Sequence, residues 1–161
     1  MVVVSDSGPL IALSKIGRFD LLKLLFGKIY IPMAVYREVT IEGEGKPGAK
    51  DVKGAVEEGW ITKREAQDSL ILTLLKVDLA DGEAEALVLA SDLKADLLLI
   101  DEHKGKIRAE QMQLESMGTI GVLLLARKKG ISIDLRSALD ELRGKGFRIS
   151  DRLYERMLKG L

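Results

Sequence analysis

Two short apolar runs that end directly in an acid constrain this chain more than any other feature. VVVS at residues 2–5 stops at Asp6, and LLLI at residues 97–100 stops at Asp101. Continuous apolar runs of this length suit strands covered on both faces, as parallel strands are in α/β proteins. Elsewhere the chain alternates similar runs with helical spacing of apolar residues, which argues for α/β architecture over a bundle or a sandwich. In an open parallel sheet, ligands bind at the carboxyl ends of the strands, so both aspartates are expected on that edge. If their strands are neighbours, their carboxylates come within reach of one ion.

The remaining elements are read from periodicity and from turn residues. Pro9 near a helix start precedes Leu10, Ile11, Leu13 and Ile16, and Phe19, Leu22, Leu25 and Phe26 suggest a second helix. KIYI (28–31) reads as a strand, and Pro32 opens a helix carrying Val35, Tyr36 and Val39. A loop is expected over 42–48, a helix over 49–58, a short strand over 60–62 and a helix, with some strand character from its ILTLL run, over 66–76. Asp81-Gly82 marks a break before another helix. After the 97–100 strand the pattern predicts a helix to about residue 116, a short strand around 119–120, and helices near 122–129, 134–144 and 151–159. No internal repeat or linker interrupts the 161 residues. One domain over 1–161 is expected, with 131–161 as a helical C-terminal extension.

Composition narrows the chemistry. The chain has no cysteine and a single histidine, His103, which excludes disulfides and thiolate metal sites and leaves oxygen as the expected metal donor. Few aromatic rings are available to stack on bases, so any grip on RNA should be mainly ionic. Residues 1–102 hold 12 basic and 18 acidic side chains, and residues 103–161 hold 13 and 7, so an acidic half could hold a cation while a basic half faces phosphates. The start, MVVVSDSGPLIALSK, lacks a basic n-region and breaks its apolar run at Ser5 and Asp6. Neither a signal peptide nor a membrane anchor is expected, and the cytoplasm is the expected location.

Two further acids join the strand-end pair. Glu38 lies in PMAVYREV, on the helix after the second strand, and Glu83 lies in ADGEAEAL, flanked by Asp81 and Glu85. Carboxylates converging from four segments suit a hard, oxygen-preferring cation such as Mg²⁺ or Mn²⁺, which would offset their mutual repulsion. Singly, each acid has a plainer role open to it: Asp6 and Asp101 could cap helices, Glu83 could answer a helix dipole, and Glu38 could be a solvated surface group. Asp81, Glu83 and Glu85 compete for one place in the set. Glu85, two residues beyond Glu83, would point roughly 200° away around a helix.

The segments VVSDSGPLIAL, IPMAVYREV, LADGEAEALVLA and LLLIDEHKGKIRAE, in this order and spacing, resemble PIN domains, in particular a prokaryotic branch with a GE-x-EA motif. TIGVLLLARKKG resembles that branch's segment after the last acidic motif, and the likeness covers roughly residues 1–130. It implies a three-layer fold, a central, mainly parallel sheet with helices on both faces. By the same resemblance Asp6, Glu38, Glu83 and Asp101 take the metal-ligand and catalytic places, and Ser7 and Glu102 support them. The implied activity is a Mg²⁺- or Mn²⁺-dependent endoribonuclease. Many such proteins are toxins that pair with an antitoxin and form homodimers. The alternative within the same fold is a catalytically silent module that binds RNA or protein.

Other signals carry less. Gly43 to Gly48 fits G-x-G-x-x-G in letters, but Glu42 and Glu44 would repel a pyrophosphate and no convincing strand precedes it. A receiver would want its acid on a strand near residues 50–60, and a two-aspartate phosphatase would want a second Asp where Gly8 stands. Lys104, Lys106 and Arg108, just downstream of Asp101, are the basic residues expected to meet RNA phosphates. The apolar helices over 10–26 are expected to leave surface that a second copy of the chain would cover.

Overall fold

In a computed structural model, which describes residues 1–159, the chain is a three-layer α/β fold around a five-stranded sheet. Strands β1 (Val3–Ser5), β2 (Ile29–Pro32), β3 (Ile61–Arg64), β4 (Leu97–Leu99) and β5 (Ser116–Met117) lie in the order β3-β2-β1-β4-β5, and every pairing is parallel. The helices are α1 (Ser7–Lys15), α2 (Asp20–Phe26), α3 (Met33–Tyr36), α4 (Ala49–Glu58), α5 (Leu70–Leu75), α6 (Asp81–Asp92), α7 (His103–Gln111), α8 (Thr119–Lys128), α9 (Leu135–Gly144) and α10 (Asp151–Lys159). A π-helical turn over Arg37–Glu42 continues α3 and carries Glu38.

The two-residue period of a strand sorts the core into two layers. Val3 and Leu99 face one side with residues of α1, α2, α4, α8, α9 and α10, whereas Val4, Leu98 and Ile100 face the other with α5, α6 and α7. All five of these strand residues are fully buried, which explains why their sequence shows no polar alternation. The last helices share the first core: Leu135, Leu139 and Leu142 of α9 and Met157 of α10 pack with Val122 and Leu123 of α8. No helix among the described residues is long and apolar enough to cross a membrane.

Three local expectations are corrected. The helix after Asp101 stops at Gln111 rather than near 116, because Gln113 turns the chain with a positive φ of 59° and Ser116–Met117 joins the sheet edge beside Leu98 and Leu99. The strand expected around 119–120 is instead the first turn of α8. There the Asp101 carboxylate accepts hydrogen bonds from the Thr119 backbone N–H and hydroxyl, both at 2.7 Å, and this anchoring outweighs the β preference of Thr-Ile. ILTLL is helical throughout, with Ser69 accepting from the Leu72 N–H at its start.

Most of the apolar surface over 10–26 is covered, since Leu10, Leu13, Leu21 and Leu22 are fully buried, while Leu24 is 61% exposed. The exposed apolar side chains gather instead on α5 and just beyond it, at Leu70, Ile71, Leu74 and Val77.

Candidate metal centre

The sheet order reverses direction between β1 and β4. The chain runs β1 to β2 to β3 outward on one side, and β4 and β5 extend the other. At such a switch point the two connections leave in opposite directions and open a crevice at the carboxyl edge. Asp6 and Asp101 stand there. Ser5 pairs with Leu99, and the Asp6 N–H donates to the Leu99 carbonyl at 2.9 Å, so the two acids leave the edge of adjacent strands side by side.

Asp6, Ser7, Glu38, Glu83, Asp101 and Glu102 line one cavity of about 170 Å³, together with Gly8 and Ala80. Gly82, in the first turn of α6, lets this approach happen. A Cβ there would lie 3.3 Å from Glu38 Oε2, 3.3 Å from Val35 Cγ2 and 3.5 Å from Asp6 Oδ1, so this turn of α6 runs directly against both acids. Glu83, on the same turn, reaches toward α7, its Oε2 3.5 Å from where Gly105 would carry a Cβ. The rival acids of that motif are occupied elsewhere. Glu85 Oε1 accepts from the Ala34 N–H at 3.2 Å and so caps α3, while the Asp81 side chain is 74% exposed and lies 4.0 Å from Lys76.

The electrostatics of the cavity are unfavourable for four negative charges. Asp6 is only 3% exposed, and its Oδ1 has no hydrogen-bond partner. Burial above all pushes its pKa up to about 7, opposed by the Ser7 backbone N–H and aided by the charges of Glu83, Glu38 and Asp101. Glu83 is raised too, first by burial and then by Glu102, with Lys104 opposing. A buried carboxylate oxygen with no donor, surrounded by further carboxylates, is the donor set of a hard divalent cation.

Among the described residues, no three His, Asp or Glu side chains already sit close enough to hold an ion as they stand. Asp101 accounts for part of this, because both of its oxygens rest on Thr119 at the start of α8. Glu38 is exposed at the rim of the cavity. The fit is one of donor type and shared cavity.

The expected phosphate-binding residues divide. Lys104 is near enough to Glu83 to lower its pKa, and Lys106 Nζ lies with Asp101 Oδ1 against Gly118. Arg108 instead bonds Asp78 at 3.0 Å and Gln111 at 2.9 Å, outside the lining of the acidic cavity. His103 is exposed on a shallower depression beside Glu110 and Gln113. Sequence reasoning did not single out Thr119, the partner of Asp101; a Thr directly after Gly118 and before an apolar run is a helix-start pattern that could have marked it.

A PilT N-terminus domain protein from the hyperthermophilic archaeon Sulfolobus solfataricus P2 superposes with a TM-score of 0.56 at 17% identity, over 78% of this chain and 93% of that one. At that identity the likeness is one of fold. No curated protein matches in sequence. The family model described as DUF3368, PIN domain, matches residues 2–161, and this chain therefore belongs to that family of PIN domains.

Proposed function

We propose that this chain is a metal-dependent endoribonuclease acting in the cytoplasm, with Asp6, Glu38, Glu83 and Asp101 holding one or two Mg²⁺ or Mn²⁺ ions. One observation carries the reading: the unpartnered, buried Asp6 Oδ1 belongs to a cavity that four other carboxylates, Glu38, Glu83, Asp101 and Glu102, also line. A bound divalent ion there supplies water activation and neutralises charge on a phosphodiester in transfer. Asp6 and Asp101 fix the floor of the site from the rigid sheet edge, and Glu38 and Glu83 close it from α3–π and α6. Burial above all, with the charge of Glu102, raises the Glu83 pKa from its ordinary value, so this acid holds its proton more readily than a free glutamate. Ser7 and Glu102 support from either side, and Lys104 and Lys106 offer positive charge to the RNA backbone.

Cleavage of mixed single-stranded and structured RNAs, with Mn²⁺, Mg²⁺ or EDTA, tests this directly. Wild type is expected to cut only with metal, and Asp101→Asn to cut on the order of thousandfold more slowly, a loss of about 4 kcal/mol of transition-state stabilisation. Cutting that survives EDTA, or is undiminished in Asp101→Asn, would remove the mechanism. Binding of RNA without any cutting would instead establish the silent binding module.

The exposed apolar face of α5 is the surface on which we propose that the chain forms a homodimer. The antitoxin expected from the resemblance to toxins would be the other protein to meet such a face. Sedimentation at micromolar concentration is expected to give a dimer that Leu74→Glu converts to monomer. A wild-type monomer would end the proposal.

A further inference from the structure

Beside the acidic cavity lies a second one, of about 250 Å³, which shares Gly8, Asp101 and Glu102 with it and is otherwise built from α1 and the end of α9. Its floor is apolar, from Ile11, Ala12 and Leu142, and Lys15, Lys145 and Phe147 complete the wall. We propose that this cavity is the subsite for the nucleotide next to the scissile phosphate, with Phe147 stacking on its base and Lys15 and Lys145 holding its phosphates.

The turn that presents these groups is fixed. Gly146 adopts a φ of +90°, the Gly146 N–H donates to the Arg143 carbonyl at 3.1 Å, and the Phe147 N–H donates to the Leu142 carbonyl at 2.9 Å. These two bonds are the Schellman pattern that ends a helix, and they set Phe147 back over Leu142. Lys145 Nζ donates to the Lys15 carbonyl at 2.5 Å, tying the end of α9 to the end of α1, and its remaining N–H groups are left for a ligand. Lys15, at the end of α1, also lines a neighbouring cavity with Glu38, Glu42 and Lys46.

The occupant follows from chemistry and position. A polyanion approaching four carboxylates needs positive charge close by, and two lysines provide it at the mouth of the cavity that adjoins the acids. An apolar floor and one aromatic ring suit the face of a base, and a basic rim suits its backbone, which is the combination that single strands select. The inference rests on the nuclease reading above and extends it to the C-terminal segment.

The test is binding of a short, fluorescein-labelled single-stranded RNA by anisotropy in EDTA across a salt series, with Mn²⁺-dependent cleavage of the same RNA measured separately. Phe147→Leu retains the apolar contact with Leu142 but loses the ring, and it should weaken binding about tenfold or more, whereas Phe147→Trp should bind at least as well as wild type. Lys145→Ala should weaken binding and reduce the salt slope by about one, while Lys128→Ala, on the exposed end of α8, should match wild type. A merely structural role for Phe147 or Lys145 would lower the melting temperature and leave the salt slope and the Trp–Leu difference unchanged, and that result overturns the subsite. Wild type that cuts RNA while both variants keep its affinity and KM overturns the subsite alone. Wild type that neither binds nor cuts overturns the nuclease reading, and the subsite with it.

Discussion

Asp6→Asn is expected to melt higher than the wild type in EDTA at mildly alkaline pH, while cutting RNA on the order of thousandfold more slowly in Mn²⁺. The stability gain follows from the site's own electrostatics. Asp6 is buried, its Oδ1 lacks a donor, and its pKa stands at about 7 against 3.8 for the free group. The unfolded chain thus releases this proton near pH 4 and the folded chain near pH 7, so the fold binds the extra proton in between. Stability is full below about pH 4, falls as the pH rises to about 7 and is level above it, where the accumulated loss is on the order of 2–4 kcal/mol. Asparagine carries no charge to desolvate and removes the repulsion from Glu83, Glu38 and Asp101. The variant's denaturation midpoint should show little of the wild type's decline over that window, and the two proteins should agree at its acid end. Activity falls because the same oxygen is the buried arm of the cation site, and a double Asp6→Asn, Asp101→Asn variant should lose little more, since both acids serve one site. A wild type whose stability is flat across this pH range, or an Asn variant that melts lower throughout, would show that Asp6 has a donor after all.

The parts of this site that depend on strands and on local spacing were legible in the sequence. Val3, Val4 and Leu98 to Ile100 announced buried parallel strands because burial on both faces removes polar alternation. An acid immediately after each run could then be assigned to one edge, and adjacency of β1 and β4 brought Asp6 and Asp101 together. The spacing within ADGEAEAL separated Glu83 from Glu85, since two residues turn a helix most of the way to its opposite face. Residues 112–120 were misread because their structure is set from a distance. Leu98 and Leu99 recruit Ser116 and Met117 as an edge strand, and Asp101 starts α8 at Thr119; neither contact leaves a trace in local composition. The same holds for Lys15 and Phe147, which lie far apart in sequence and share a cavity only because α9 packs on the α1 side of the sheet. Helix propensity was visible over 10–26, but which apolar side chains met the core depended on topology: Leu10, Leu13, Leu21 and Leu22 are buried and Leu24 is exposed.

A divalent cation should reverse the pH dependence seen without it. Mn²⁺ or Mg²⁺ bound among Asp6, Glu38, Glu83 and Asp101 favours their charged forms, so binding at mildly acidic pH must displace the proton that Asp6 otherwise retains. Affinity should therefore rise as the pH climbs to about 7 and then level off, and the protons released per ion should fall toward zero over the same range. Ion present at about a hundred times its dissociation constant adds about 2.7 kcal/mol to the stability of the folded state, which for a chain of this size corresponds to a rise of roughly 5–10 °C in Tm. That rise should be large on the alkaline side of the Asp6 transition and small on the acid side. Melting curves with and without Mn²⁺ at both pH values check the stability change, and titration calorimetry in two buffers of different ionisation heat counts the protons. Asp6→Asn, already relieved of its buried charge, should show neither the metal-induced rise nor the proton release. An equal rise at both pH values would place the ion away from Asp6. No rise at all on the alkaline side would mean that the cavity does not hold a divalent cation, and the four acids would then have to be explained by something other than metal-dependent hydrolysis.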